Sequence, residues 1–172
     1  MFDLFRKRRS IRKFQEKPVE PEKVELLKEA LLRTPSSHNY RAWEFIFVDD
    51  PVLLEKLSKV RGGSSAFLEG APLGIVIMGN EETANVWVED AAAAAMGAQL
   101  AATALELGFC WIQIRLRDHS PEESAEEYVK KILDIPEPYR VDCIIAVGYP
   151  AEEKAPYSKE ELPYEKIHEN GF

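Results

Sequence analysis

Apolar positions recur at helical spacing over "EPEKVELLKEALLRTPSS", where Val24, Leu27 and Leu31 share a face with Leu26 and Ala30. Pro21 suits the first turn of that helix, and Pro35 stops it. "WEFIFV" (Trp43 to Val48) partly alternates and is rich in aromatic and β-branched residues, so a strand is predicted. "DDPVLLEKLSKVRGG" predicts a helix with Pro51 at its start and Gly62 past its end. "APLGIVIMGN" is a short apolar run bounded by Pro72 and Gly79, the pattern of a buried strand. From Glu82 to Leu107 runs a long helical stretch ended by Gly108, and its centre, "DAAAAAMGAQLAATALEL", is small and apolar almost all round. A helix without a polar face is buried on most sides, in the middle of the domain or at a subunit interface. "CWIQIRL" and "VDCIIAVGYP" predict two more strands. Between them "SPEESAEEYVKKIL" predicts a helix capped by Ser120, with Pro121 in its first turn and Glu123 three residues after the cap. The polar tail keeps Tyr157, Leu162, Tyr164, Ile167 and Phe172, which predicts a strap laid on a surface.

Strands and helices interleave without a repeat or a linker, so residues 1–172 are expected to form a single layered domain, α+β or α/β, around about four strands. The chain is 45% hydrophobic and 30% charged, as a folded domain with a sizeable core requires. Its net charge of -8 argues against nucleic acid and membrane surfaces as general partners, since both want a basic face. A small phosphate-bearing ligand needs only local positive charge and stays open. Cys110 and Cys143 lie far apart in apolar runs and read as buried free thiols, which points to a reducing compartment. The first residues carry no signal-peptide pattern, and no apolar run approaches the roughly 20 residues of a membrane span. A cytoplasmic protein is therefore expected.

Two stretches are candidates for chemistry. In "RRSIRKFQEKPVEP", Arg8, Ser10 and Arg12 alternate, so an extended chain would point them to one side and Arg9 to the other. Guanidinium groups and a hydroxyl suit a phosphate, although a solvated basic terminus has the same spacing. In "TPSSHNYRAW", Ser36, Ser37, Asn39 and Arg41 could read the polar edge of a heterocycle, or serve only as turn residues. Ser37 and His38 are adjacent, which is poor geometry for a nucleophile and its base. There is no Gly-x-Ser-x-Gly elbow, no Gly-x-Gly-x-x-Gly after a strand, and no His pair at metal-ligand spacing, so neither a metal nor a side-chain catalyst is predicted. "RGGSS" lacks the Lys-Ser/Thr ending of a P-loop and reads as a loop over a site or an ordinary turn.

Taken in order, "RRSIRKF", "PSSHNYRAWEF" and "LGFCWIQI", with "FLEGAPLGIVIM" and "VGYPAEEK", resemble the FMN-dependent nitroreductase family over almost the whole chain. The resemblance implies a three-layer α/β/α, α+β fold with a mostly antiparallel sheet and the Ala-rich helix at a dimer interface. It implies a homodimer holding FMN between the subunits. Arg8, Arg9, Ser10 and Arg12 would meet the phosphate and ribityl chain. Pro35, Ser36, Ser37 and Asn39 would come from the partner subunit along the flavin, and Trp111, Ile112 and Gln113 would offer backbone groups to its ring. The implied activity passes electrons from NADH or NADPH through FMN to a small-molecule acceptor, a nitroaromatic or a quinone. Dehalogenation, dehydrogenation, flavin fragmentation or plain flavin binding on the same scaffold are the alternatives. The chain departs from the family pattern in three places. Arg41-Ala42-Trp43 stands where Gln-Pro-Trp is frequent, and Gln113 stands where Gly is frequent. Glu161 occupies the expected place of a basic tail residue, with Lys159 as the substitute phosphate ligand.

Overall fold

The computed structural model describes residues 1–172. Four strands, β1 (Trp43–Val48), β2 (Leu73–Asn80), β3 (Gly108–Gln113) and β4 (Tyr139–Gly148), form one sheet in the order β1-β2-β4-β3, antiparallel throughout. Five helices surround it: α1 (Phe2–Lys7), α2 (Pro21–Leu32), α3 (Pro51–Ser58), α4 (Trp87–Ala104) and α5 (Ala125–Leu133). The sheet is central because alternate residues of its inner strands are apolar on both faces. Ile75 and Ile77 of β2, with Cys143 and Ile145 of β4, meet α2 and α4. Val76, Met78, Ile144 and Ala146 meet α3 and α5 on the other side. The result is the expected α+β fold in three layers.

α4 is the helix read as having no polar face. Ala91, Ala94, Ala95, Ala98 and Ala102 are at most 1% exposed, wedged between the sheet and α2. Small side chains let the backbones approach: a Cβ at Gly97 would come within 2.6 Å of Thr34 Cγ2. No helix is long and apolar enough to cross a membrane. Both cysteines are buried free thiols, as expected.

Several local expectations change: the helix expected from Glu82 begins at Trp87, and the strand expected to run from Cys110 to Leu116 spans Gly108–Gln113. α5 begins four residues later than predicted, because its capping box is Ser124 with Glu127 rather than Ser120 with Glu123. Ser120 instead closes a turn, its hydroxyl accepting from the Glu122 and Glu123 amides. The short α1 was not predicted, since six residues with only Leu4 half-buried carry no readable period. The tail forms two short 3-10 turns; it touches its own chain through Tyr157, which packs on Arg9, while Leu162, Tyr164, Ile167 and Phe172 stay exposed.

Candidate functional site

After α1 the chain straightens. Ser10 bridges Phe109 in parallel, and the Ile11 amide donates to the Phe109 carbonyl at 2.8 Å, so the arm lies along the outer edge of β3. The Arg8 guanidinium stands 6.0 Å from the Phe109 ring, on the α4 side, while that of Arg12 stands 5.8 Å from the Phe67 ring, on the α3 side. Simple alternation put Arg8 and Arg12 together and Arg9 opposite. Instead the arm twists, and all three line one cavity of about 200 Å³ with Ser10, Lys154 and Tyr157.

Lys154 is the residue that the sequence reading missed. It follows β4, the strand beside β3, and so returns to the arm. Its Nζ donates to the Ser10 carbonyl at 2.6 Å and lies 3.4 Å from Glu152 Oε1. Glu152 in turn accepts from the Arg12 amide at 2.6 Å, a bond that holds its carboxyl below the usual range and keeps it ionised. Arg9 donates to the Ala155 carbonyl and packs 4.2 Å from the Tyr157 ring centroid. "VGYPAEEK" held the available signal: Lys154 is the first basic residue beyond the last strand. Lys159 sits exposed in the first tail turn and does not line the cavity. Three guanidinium groups, an ammonium and a hydroxyl around so small a space form a donor set that suits a phosphate monoester. Behind them Cys110 is pushed up by burial despite the pull of Arg12 and Lys154, so it stays a thiol and not a nucleophile.

Beyond Phe109 the outer edge of β3 continues through Trp111 and Gln113. Since the Phe109 carbonyl faces outward to Ile11, strand alternation turns the main-chain groups of Trp111 and Gln113 outward too, while those of Ile112 face β4. The Gln113 side chain is fully engaged within its own chain. It accepts from Trp111 Nε1 at 2.9 Å, and its Nε2 donates to the carbonyls of Arg115 at 3.1 Å and Asp142 at 3.4 Å. Asp142 is the extra residue of a bulge in β4, and burial raises its carboxyl. "RGGSS" also reaches this edge. The buried Ser65 hydroxyl holds the Arg61 amide at 2.9 Å, and Arg61 Nη1 lies 3.5 Å from the Gln113 carbonyl.

Pro35, Ser36, Ser37, Asn39 and Arg41 lie elsewhere. Their loop packs against the start of α4, where the Ser37 amide donates to Asp90 Oδ1 at 2.8 Å. The basic cavity lies near the end of that helix; its neighbour includes Arg9 and Lys154 together with Thr103 and Glu106. At 1.5 Å per residue, Asp90 and Thr103 are roughly 20 Å apart along the axis. A single chain therefore does not bring the loop to the cavity. Within the loop Arg41 Nε donates to Asn39 Oδ1 at 3.1 Å.

Known proteins match this arrangement over nearly its full length. A model of the nitroreductase family matches residues 5–62 and 53–149. An FMN-dependent nitroreductase from Clostridium difficile is 46% identical, with a TM-score of 0.98 and 100% of both chains covered. An NADH dehydrogenase from Thermus thermophilus is 28% identical over 195 residues, covering 94% of this chain and 91% of its own. An NADPH-dependent oxidoreductase from Staphylococcus aureus is 27% identical over 192 residues, covering 100% of this chain and 74% of its own. With its layered sheet, its arginine-bearing arm and a family match across most of its length, this chain belongs to the nitroreductase family.

Proposed function

We propose that this protein is an NAD(P)H-dependent flavin oxidoreductase that works as a homodimer, with one FMN in each of two sites between the subunits. The observation that carries the reading is the cavity where Arg8, Arg9, Ser10, Arg12 and Lys154 converge beside the outer edge of β3. The arginines and Lys154 hold the FMN phosphate, and Ser10 adds a hydroxyl. Trp111 and Gln113 present outward main-chain groups to the flavin ring; Ile112 packs behind them in the core. Pro35, Ser36, Ser37, Asn39 and Arg41 reach the flavin from the partner subunit, because their own chain keeps them far from its own cavity. The half-exposed side of α4, with Met96 and Leu100, forms the subunit contact.

FMN held there would supply the redox chemistry, the route for electrons from NADH or NADPH to an acceptor such as a nitroaromatic or a quinone. The chain's own work is to bind, to orient and to exclude water around that exchange. Arg61, next to the Gln113 carbonyl, adds positive charge at this edge. No side chain is assigned an acid–base role, since hydride transfer needs none. The absorption spectrum of the purified protein tests the reading. FMN bands that bleach anaerobically with NADH or NADPH and return with a quinone are expected. Protein that stays colourless after FMN addition refutes it.

A further inference from the structure

We infer that Asp90 is a positioning residue for the flavin of the partner subunit, acting through the loop of Ser36 to Arg41. This rests on the two-subunit site proposed above. The loop is strained: His38, Asn39 and Arg41 have φ of 48°, 57° and 51°, three left-handed residues among four with no glycine. Such a conformation persists only where neighbours over-determine it. Beside the main-chain bonds of Asn39 to Ser36 and Tyr40 to Ser37, two bonds from main-chain amides to side-chain oxygens do so here. The Ser36 hydroxyl accepts from the Arg41 amide at 2.8 Å and closes the loop on itself. Asp90 Oδ1 accepts from the Ser37 amide at 2.8 Å and fixes the loop to α4.

Asp90 sits in the first turn of α4, where a carboxylate complements the helix dipole, but that role does not require it to be buried. It is 6% exposed in the first turn of α4, and its Oδ2 is buried without a partner. A buried carboxylate oxygen left unpaired destabilises the fold. The one hydrogen-bonded oxygen of Asp90 is bonded to the loop and not to α4, so the buried carboxylate serves the loop as well as the helix. Ser37 then carries its neighbours Ser36 and Asn39 to a fixed position on the outside of the subunit, where the second chain's cofactor is expected.

FMN titration of the purified dimer, followed by flavin fluorescence, tests this. Asp90→Ala is expected to weaken FMN binding about tenfold while the flavin-free protein stays folded, its melting temperature within roughly 4 °C of wild type. Asp90→Asn, which keeps the acceptor for the Ser37 amide, is expected to remain within about twofold of wild type. A mixed dimer of Asp90→Ala with Arg12→Ala is expected to keep one intact site, because both defects fall in the other. Unchanged affinity in Asp90→Ala, a loss in Asp90→Asn as large as in Asp90→Ala, or failure of the flavin-free Asp90→Ala protein to fold overturns the assignment. Two impaired sites in the mixed dimer overturn it as well. If wild type itself binds no FMN, the two-subunit flavin reading fails and this one with it; if only the variants fail to differ, this one fails alone.

Discussion

Lys154 Nζ donates to the Ser10 carbonyl at 2.6 Å, across 144 positions of sequence. The bond draws the stretch after β4 over the arm and brings a fourth cation to three arginines. A charge-assisted hydrogen bond to phosphate contributes about 1.5–3 kcal/mol. Arg12→Ala and Lys154→Ala are each expected to lose roughly ten- to hundredfold in FMN affinity, so that Arg12→Ala purifies largely without flavin. Lys159→Ala should bind as wild type does. Equilibrium dialysis of the three variants checks this ranking.

A second prediction concerns acid. Tyr149 donates to Glu20 at 2.6 Å, Lys17 pairs with Glu20 at 3.0 Å, and Lys23 bridges Tyr149 to the Leu105 carbonyl at the end of α4. The Tyr149 bond chiefly lowers the Glu20 carboxyl from 4.5 to about 2. A carboxyl depressed by folding adds stability that is complete above its unfolded value and disappears as pH falls through its folded one. Glu20→Gln should therefore be less stable than wild type at neutral pH, and the two should converge between pH 4.5 and about 2. Urea midpoints measured across that range give the comparison; parallel curves would contradict it.

Gly108 opens β3 where the arm crosses it. A Cβ there would lie 2.9 Å from both Cβ and Cγ2 of Ile11, a stiff β-branched side chain that is itself buried. Gly108→Ala should cost about 1–3 kcal/mol in stability and weaken FMN binding as well, because the arm carries Arg8 and Arg12. Thermal denaturation and FMN titration of this one variant read both effects. A stable variant with normal affinity would mean that the arm is not held by this contact.

Gln113 stands where the family often has glycine, and it spends its whole side chain on Trp111, Arg115 and Asp142. Gln113→Gly should free the Trp111 indole and loosen the end of β3. A red-shifted tryptophan emission and a several-fold weaker FMN affinity are the expected outcomes. Unchanged emission together with unchanged affinity would contradict this role.

Much of the fold was legible because its strands are short runs of apolar, aromatic and β-branched residues: the range Trp43 to Val48 is β1 residue for residue. The helix without a polar face declared its own burial. Capping was harder to read, since Ser120 and Ser124 both precede acidic residues at the right distance, and only packing of Ala125 and Val129 selects the second. The arm's arginines were visible as a charge cluster, but its twist was not, because pairing with β3 sets it. Lys154 was hidden for the same reason: sheet order, not sequence distance, makes it a neighbour of Ser10. Asp90 and Glu89 are adjacent on α4 and form no pair that spacing could reveal, and only the loop folded over Asp90 gives it a task.

The closeness of α2 and α4 has a mechanical consequence. Where Gly97 faces Thr34, the gap is set by glycine main chain against a short β-branched methyl rather than by long side chains that can change rotamer. Thr34 immediately precedes Pro35, so the strained loop starts from a point with almost no play. Heating that loosens the surface turns should reach this hinge last, and the loop should keep its shape until the helix pair itself comes apart.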